Sequence, residues 1–268
     1  MGVAITTIGG AEMASIKNLG GVEFSGWEEA YSINFADYDS SGEMSDDDTI
    51  SINGVTWTAG VTNGTVEIDS TGLILTAAAS SDMFSSGVAV PRLSADVSDL
   101  VPNLTTKDVI CMQWVQTYDP GLPANNFEAV GGQLWDGEAG AGWKGMGIRA
   151  LHNSNLKWAP LRGNSTEGNI TDSDEYNSFE IVWYFMGQTA IISSAATGVT
   201  AMSQPLVVDT HRSYANYGSS NWTTTESNIA GTLTPGNAKA MFYAMEVTHN
   251  RTFKGIFKGF RIFRARAS

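Results

Sequence analysis

The chain has 268 residues, enough for one large β domain or two small ones, and is 42% hydrophobic, 16% charged and 10% aromatic. Those proportions exclude collagen-like, coiled-coil and disordered chains, and a charged fraction below the usual ~25% in a Ser-, Thr-, Gly- and Asn-rich chain favours strands and turns over long helices. The formal net charge of -13 repels nucleic-acid backbones, so nucleic acid is not an expected partner.

Residues 1 to 30 read as an N-terminal arm of small and polar positions, with Gly9-Gly10, Gly20-Gly21 and one mildly helical patch from Ala11 to Lys17. The arm opens without a basic stretch followed by an apolar one, and no run reaches the ~18–20 apolar residues of a membrane span. Neither Sec-type export nor a membrane partner is expected. Residues 31 to 268 read as a single domain, in which runs of β-formers recur between turn signals, as in a sandwich or barrel. No repeat of fixed period is expected.

The segment from Asp37 to Asp48 places oxygen-bearing residues at positions 1, 3, 5, 7, 9 and 12 with Gly42 at position 6. That is calcium-loop spacing. It predicts a Ca²⁺ site with Asp37, Asp39, Ser41 and Asp48 as side-chain ligands, although the flanks read as strands and position 12 is Asp instead of Glu. Next, Ser51 to Trp57 contains Asn53-Gly54, the pair that supplies the two positive-φ positions of a tight hairpin. Further strands are expected at 66–68, 73–77, 87–93, 109–118, 129–135, 145–151, 179–186, 189–194, 240–248 and 257–263. Val109 to Val115 is apolar on both faces and should be central. Phe179, Ile181, Trp183 and Phe185 alternate with other residues, the mark of one face in a core. Turns are expected at Met186 to Thr189 and Pro235 to Asn237.

Cys111 is the single cysteine, so no intramolecular disulfide forms, and a small buried role fits it. Trp57, Trp114 and Trp183 sit in strands as core. Trp135 to Trp143 differs: two indoles bracket a Gly-rich acidic loop, so Trp135, Asp136, Glu138 and Trp143 form a candidate carbohydrate-binding set of stacking faces and acceptors. His152, His211 and His249 lie far apart without a metal-ligand pattern. Arg251, Lys254, Lys258, Arg261, Arg264 and Arg266 occupy the last eighteen positions, which hold no Asp or Glu. This basic end is a candidate interface with an acidic neighbour.

The order of these features resembles the concanavalin A-like lectin/glucanase jelly roll. Its marks here are an opening Ile33-Asn34-Phe35, the hairpin around Asn53-Gly54, Ser70 to Leu75, the late pair from Phe179 to Ser194, and the closing strand Gly255 to Phe263. The resemblance implies an all-β sandwich of two antiparallel sheets. The family's glycosidases carry Glu-x-Asp-x-x-Glu on one strand; Glu67 and Asp69 match its first two acids, and the third is missing. The same residues resemble the Val-Glu-Phe-Asp metal strand of legume lectins without its following Asn and Asp ligands. No enzyme activity is expected.

The expected function is that of a non-enzymatic structural protein of a bacteriophage particle, as capsid decoration or virion appendage. It would be assembled in the host cytoplasm and released by lysis. Its partners would be further copies of itself, plausibly as a trimer, and other virion proteins, reached through the arm and the basic end. The alternative is a carbohydrate-binding module or tail-fibre receptor binder, and third comes a glycoside hydrolase or polysaccharide lyase.

Overall fold

A computed structural model describes residues 28–38, 40–78, 90–118, 128–137, 145–153, 155–162, 176–185, 189–196, 232–246 and 252–266. It also describes short strands at 7–8, 11–12, 18–19, 22–23, 165–166, 170–171, 212–213 and 223–224. The arm contributes β1 (Thr7–Ile8), β2 (Ala11–Glu12), β3 (Asn18–Leu19) and β4 (Val22–Glu23). Then come β5 (Glu28–Asn34), a 3-10 turn (Phe35–Asp37), β6 (Ser40–Met44), β7 (Thr49–Ile52), β8 (Val55–Gly60), β9 (Gly64–Asp69), β10 (Gly72–Ala77) and β11 (Arg92–Asp96). A one-turn helix α1 (Val97–Leu100) precedes β12 (Asp108–Tyr118), β13 (Glu128–Trp135), β14 (Gly145–Asn153) and β15 (Asn155–Arg162). The remainder is β16 (Ser165–Thr166), β17 (Ile170–Thr171), β18 (Tyr176–Tyr184), β19 (Thr189–Ala196), β20 (Arg212–Ser213), β21 (Thr223–Thr224), β22 (Lys239–Glu246) and β23 (Phe253–Arg266).

Strands β5 to β23 build a jelly-roll sandwich of two antiparallel sheets. The first runs β20-β19-β18-β12-β23-β10-β9-β6, with β5 also on β23 and β21 on β19; the second runs β16-β15-β14-β13-β22-β11-β8-β7, with β17 on β15. Alternate residues of facing strands meet between the sheets. Phe242 of β22 is the hub: its ring centroid lies 4.8 Å from Phe257, 5.4 Å from Phe260, 5.8 Å from Phe35 and 6.0 Å from Trp57. Two glycines permit this closeness. A Cβ on Gly132 would stand 2.9 Å from the Trp114 ring, and one on Gly255 would stand 2.2 Å from Val130.

Polar groups stitch the layers where they are buried. Trp114 Nε1 donates to Gln116 Oε1 at 2.8 Å, and Gln116 Nε2 crosses the sandwich to the Val130 carbonyl at 3.2 Å. The Tyr31 hydroxyl of β5 donates to the Ile52 carbonyl at 2.9 Å and accepts from Trp57 Nε1 at 3.1 Å, joining the first sheet to β7 and β8 of the second. A buried donor left unpaired is costly, so both networks favour one arrangement of the sheets.

Most expected strands form close to their expected places. Asn53 and Gly54 have φ of 49° and 80°, the turn that Asn-Gly predicts, and β12 lies in the middle of its sheet. Ile181, Trp183 and Phe185 belong to the core, as do Trp57 and Trp114. Of the patch expected to be helical from Ala11 to Lys17, Ala11–Glu12 is a strand paired with β1, and residues 13–17 lie outside the described residues. Of the strand expected at 87–93, residues 87–89 lie outside the described residues, and β11 begins at Arg92, immediately after Pro91, whose missing N–H cannot enter a ladder. Two expectations are corrected. The first sandwich strand, β5, starts at Glu28, inside the expected arm. Asn155–Arg162, a strand despite Pro160, was not expected at all. The turn expected at Met186 to Thr189 lies largely outside the described residues.

Candidate functional site

The residues of the second sheet that face away from the core form the best-furnished surface among those described. Strand register fixes which side chains share it. Ser94 pairs with Thr58 on one side and Met241 on the other, and Met241 pairs with Gln133. Two residues along, Asp96 pairs with Lys239 and Lys239 with Trp135; two residues back, Arg92 pairs with Tyr243. The intervening residues Leu93, Ala95, Ala240, Phe242 and Leu134 point into the central cluster, so this set points out. Rows two residues apart are about 6.6 Å apart and neighbouring strands about 4.8 Å, which makes a patch of roughly 13 by 14 Å over β8, β11, β22 and β13.

The patch grades from open to closed. Thr56 and Asp96 are exposed, Thr58, Ser94 and Lys239 half-buried, and Gln133, Tyr243 and Met241 buried. Lys239 Nζ lies 2.7 Å from Asp96 Oδ1. Beyond Trp135 the chain turns at Gly137, whose φ of 82° and lack of a Cβ let it sit against the Lys239 stem; a Cβ there would come within 2.9 Å of Lys239 Cε. Asp136 is thereby held beside Trp135 at the margin of the patch. Gln133 is 1% exposed, with Nε2 3.9 Å from Met241 Sδ and Oε1 without a hydrogen-bond donor among the described residues. An unsatisfied buried acceptor costs about 1–3 kcal/mol.

Of the four carbohydrate candidates, the structure thus positions Trp135 and Asp136. Trp135 is only 5% exposed, its backbone paired between β22 and β14. Glu138 and Trp143 lie outside the described residues. Thr58, Ser94, Asp96, Gln133 and Lys239 were missed, because only register brings together strands so distant in sequence.

Of the expected calcium loop, residues 40–44 are strand β6, paired with β9 across an irregularity between Ser40 and Glu43. Asp37 accepts from Asn34 Nδ2 at 3.1 Å, and Asp48 accepts from the Ser45 amide at 2.7 Å. Asp39 lies outside the described residues, and the Ser41 side chain is not described. No cluster of three or more His, Cys, Asp or Glu residues suited to a metal occurs among the described residues. The acids have another use. Asp46 accepts from the Val61 amide at 2.9 Å, and Asp46 and Asp47 oppose the burial that pulls the Arg92 guanidinium below its ordinary pKa.

At the basic end, β23 is flanked on both sides, by β12 and by β10 and β5. Arg261 and Arg264 meet acids of the same chain. Arg264 pairs with Glu28 and donates to the Pro102 carbonyl at 2.8 Å; Arg261 Nε lies 3.7 Å from Glu29. Lys258 donates to the Thr71 carbonyl, and Lys254 stands near enough to Asp69 to lower its pKa. Arg266 pairs through its backbone with Asp108, and Arg251 lies outside the described residues. Asp69 itself closes a turn: it accepts from the Thr71 hydroxyl and amide, both at 2.6 Å. His211 and His249 lie outside the described residues; His152 is in β14.

No known family profile matches the chain, and no curated protein sequence does. Among solved structures, the chain is similar to the CBM2 module of the evolved Dit of Lactobacillus casei BL23 phage J-1. Identity is 11%, the TM-score 0.49, and 90% of this chain and 97% of that one are covered. It is similar to the carbohydrate recognition domain of Emp47p at 7% identity and TM-score 0.46, over 90% and 97% of the two chains. It is also similar to arcelin-5, a lectin-like defence protein from Phaseolus vulgaris, at 9% identity and TM-score 0.46, over 89% and 99%.

Proposed function

We propose that this chain is a carbohydrate-binding protein that takes a glycan on the outer face of its second sheet and performs no chemistry on it. The observation that carries the reading is the polar row of Thr58, Ser94, Asp96 and Lys239 with its Lys–Asp pair, bordered by the Trp135–Asp136 corner and underlain by Gln133, whose buried amide oxygen has no donor among the described residues. Sugars present hydroxyl donors and acceptors together with apolar faces, and a few fixed polar groups beside aromatic rings are what such ligands need. Thr58, Ser94, Asp96 and Lys239 offer partners to a glycan on the open side, and the Gln133 amide lies beneath them.

The virion structural role expected from the sequence has less support, since Arg261 and Arg264, two of its six contact cations, pair within the chain. The test is a glycan array followed by calorimetry on the best ligand, comparing wild type with Gln133→Met and Lys239→Ala. Binding by the wild type, weakened tenfold or more in Lys239→Ala while that variant melts no lower, is expected. Equal affinity in both variants, or no glycan bound by the wild type, would overturn the reading.

A further inference from the structure

We propose that the eleven-residue sequence repeat of residues 5–24, whose described strands β1–β2 and β3–β4 pair in two like ladders, is the part through which this chain pairs with a second copy of itself. In the first hairpin Thr7 pairs with Glu12 and Ile8 with Ala11; in the second Asn18 pairs with Glu23 and Leu19 with Val22. Each residue of the second hairpin stands eleven positions after its counterpart, in the same register. The sequence extends the period beyond the ladders. Ile5-Thr6-Thr7-Ile8-Gly9-Gly10-Ala11-Glu12-Met13 matches Ile16-Lys17-Asn18-Leu19-Gly20-Gly21-Val22-Glu23-Phe24. Apolar residues recur at the first, fourth, seventh and ninth places, Gly-Gly at the fifth and sixth, and Glu at the eighth. The expectation of no fixed repeat is corrected: the period is too short and occurs too few times to stand out before the two hairpins are seen to be equivalent.

The physics points to a like partner. Each hairpin is its own two-stranded sheet, with no ladder to the other hairpin or to the sandwich among the described residues. A two-stranded hairpin is marginal in water even at ordinary strand lengths, and these ladders have two residues per strand. Repeat units gain stability by stacking on units of the same kind, and unpaired strand edges accept another strand through main-chain hydrogen bonds. A second copy supplies two more identical units. Charge agrees with that occupant. Glu12, Lys17 and Glu23 are the charged residues of the span, so a copy set half a unit out of step brings Lys17 to the level of a partner carboxylate.

The experiment measures the mass of the full chain by light scattering across a hundredfold concentration range. The wild type should exceed the monomer mass. Replacing residues 5–13 with the sequence of residues 16–24 should preserve the mass, because equivalent units interchange. Ile8→Asp with Leu19→Asp, and separately deletion of residues 5–24, should give the monomer while the melting temperature of the sandwich is kept. A monomeric wild type, a wild-type mass in the double variant or the deletion, or loss of association in the unit swap would overturn the proposal.

Discussion

Removing a single oxygen from the core tests the stitching of the two sheets. Tyr31 is 7% exposed, and Tyr31→Phe keeps its ring contacts with Phe260 at 6.1 Å and Trp57 at 6.4 Å. What it deletes is the hydroxyl that accepts from Trp57 Nε1 and donates to the Ile52 carbonyl. Trp57 is fully buried, so its orphaned N–H costs about 1–3 kcal/mol, and the lost bond to Ile52 adds about 1 kcal/mol. The sum is about 2–4 kcal/mol. At a urea slope of about 3 kcal/mol/M, the unfolding midpoint should fall by roughly 1 M. A cycle with Trp57→Phe isolates the pair from the cavity that the smaller ring leaves. The variant should also respond differently to alkali. Burial, opposed by the bond from Trp57, pushes the Tyr31 phenol from 10.0 up to about 12. The native state therefore holds this proton after the unfolded chain has lost it, and the resulting stability, complete below pH 10, drains away as pH rises toward 12. Tyr31→Phe should show a shallower alkaline decline. A midpoint change worth less than about 0.5 kcal/mol at neutral pH would refute the reasoning.

Two further outcomes follow from other sites. Gly132→Ala places a methyl 2.9 Å from the Trp114 ring between the sheets and should cost about 1–3 kcal/mol in urea unfolding, with the Trp fluorescence of the native state altered. Asp69→Asn should flatten the acid limb of stability. The Thr71 hydroxyl and amide hold the Asp69 carboxyl below its ordinary 3.8, so its contribution is present above that value and is lost as pH falls through the lowered one, a slope the amide lacks.

How much was legible depended on whether the signal was local. Asn53-Gly54 demands one turn type wherever it occurs, and the alternation from Phe179 to Phe185 needs one buried face and nothing else. Ser40 to Met44 hid because Ser and Gly are turn-formers and Glu is depleted in strands; the strand exists since β9 offers it an edge, and no residue in the segment reports that. Asn155 to Arg162 hid behind Pro160, which its ladder tolerates. At the candidate site, Trp135 and Asp136 stood out as an aromatic beside an acid. Asp96, Gln133 and Lys239 did not, since they become neighbours only after three strands choose a register.

The two strands nearest the C-terminal end, β22 and β23, lie inside their sheets, not at the edges. β23 joins β12 to both β10 and β5, and β22 joins β11 to β13. A ribosome making this chain therefore releases the second sheet as two unconnected halves and the first as two parts with β5 apart, and the strand that joins them follows later. Until residues 239–266 emerge, β5, β10, β11, β12 and β13 carry apolar faces and open edges, which long-range pairing closes slowly and which invite aggregation meanwhile. The domain thus closes only once β22 and β23 have emerged, and a chain cut short before β23 would leave the parts of the first sheet without the strand that links them.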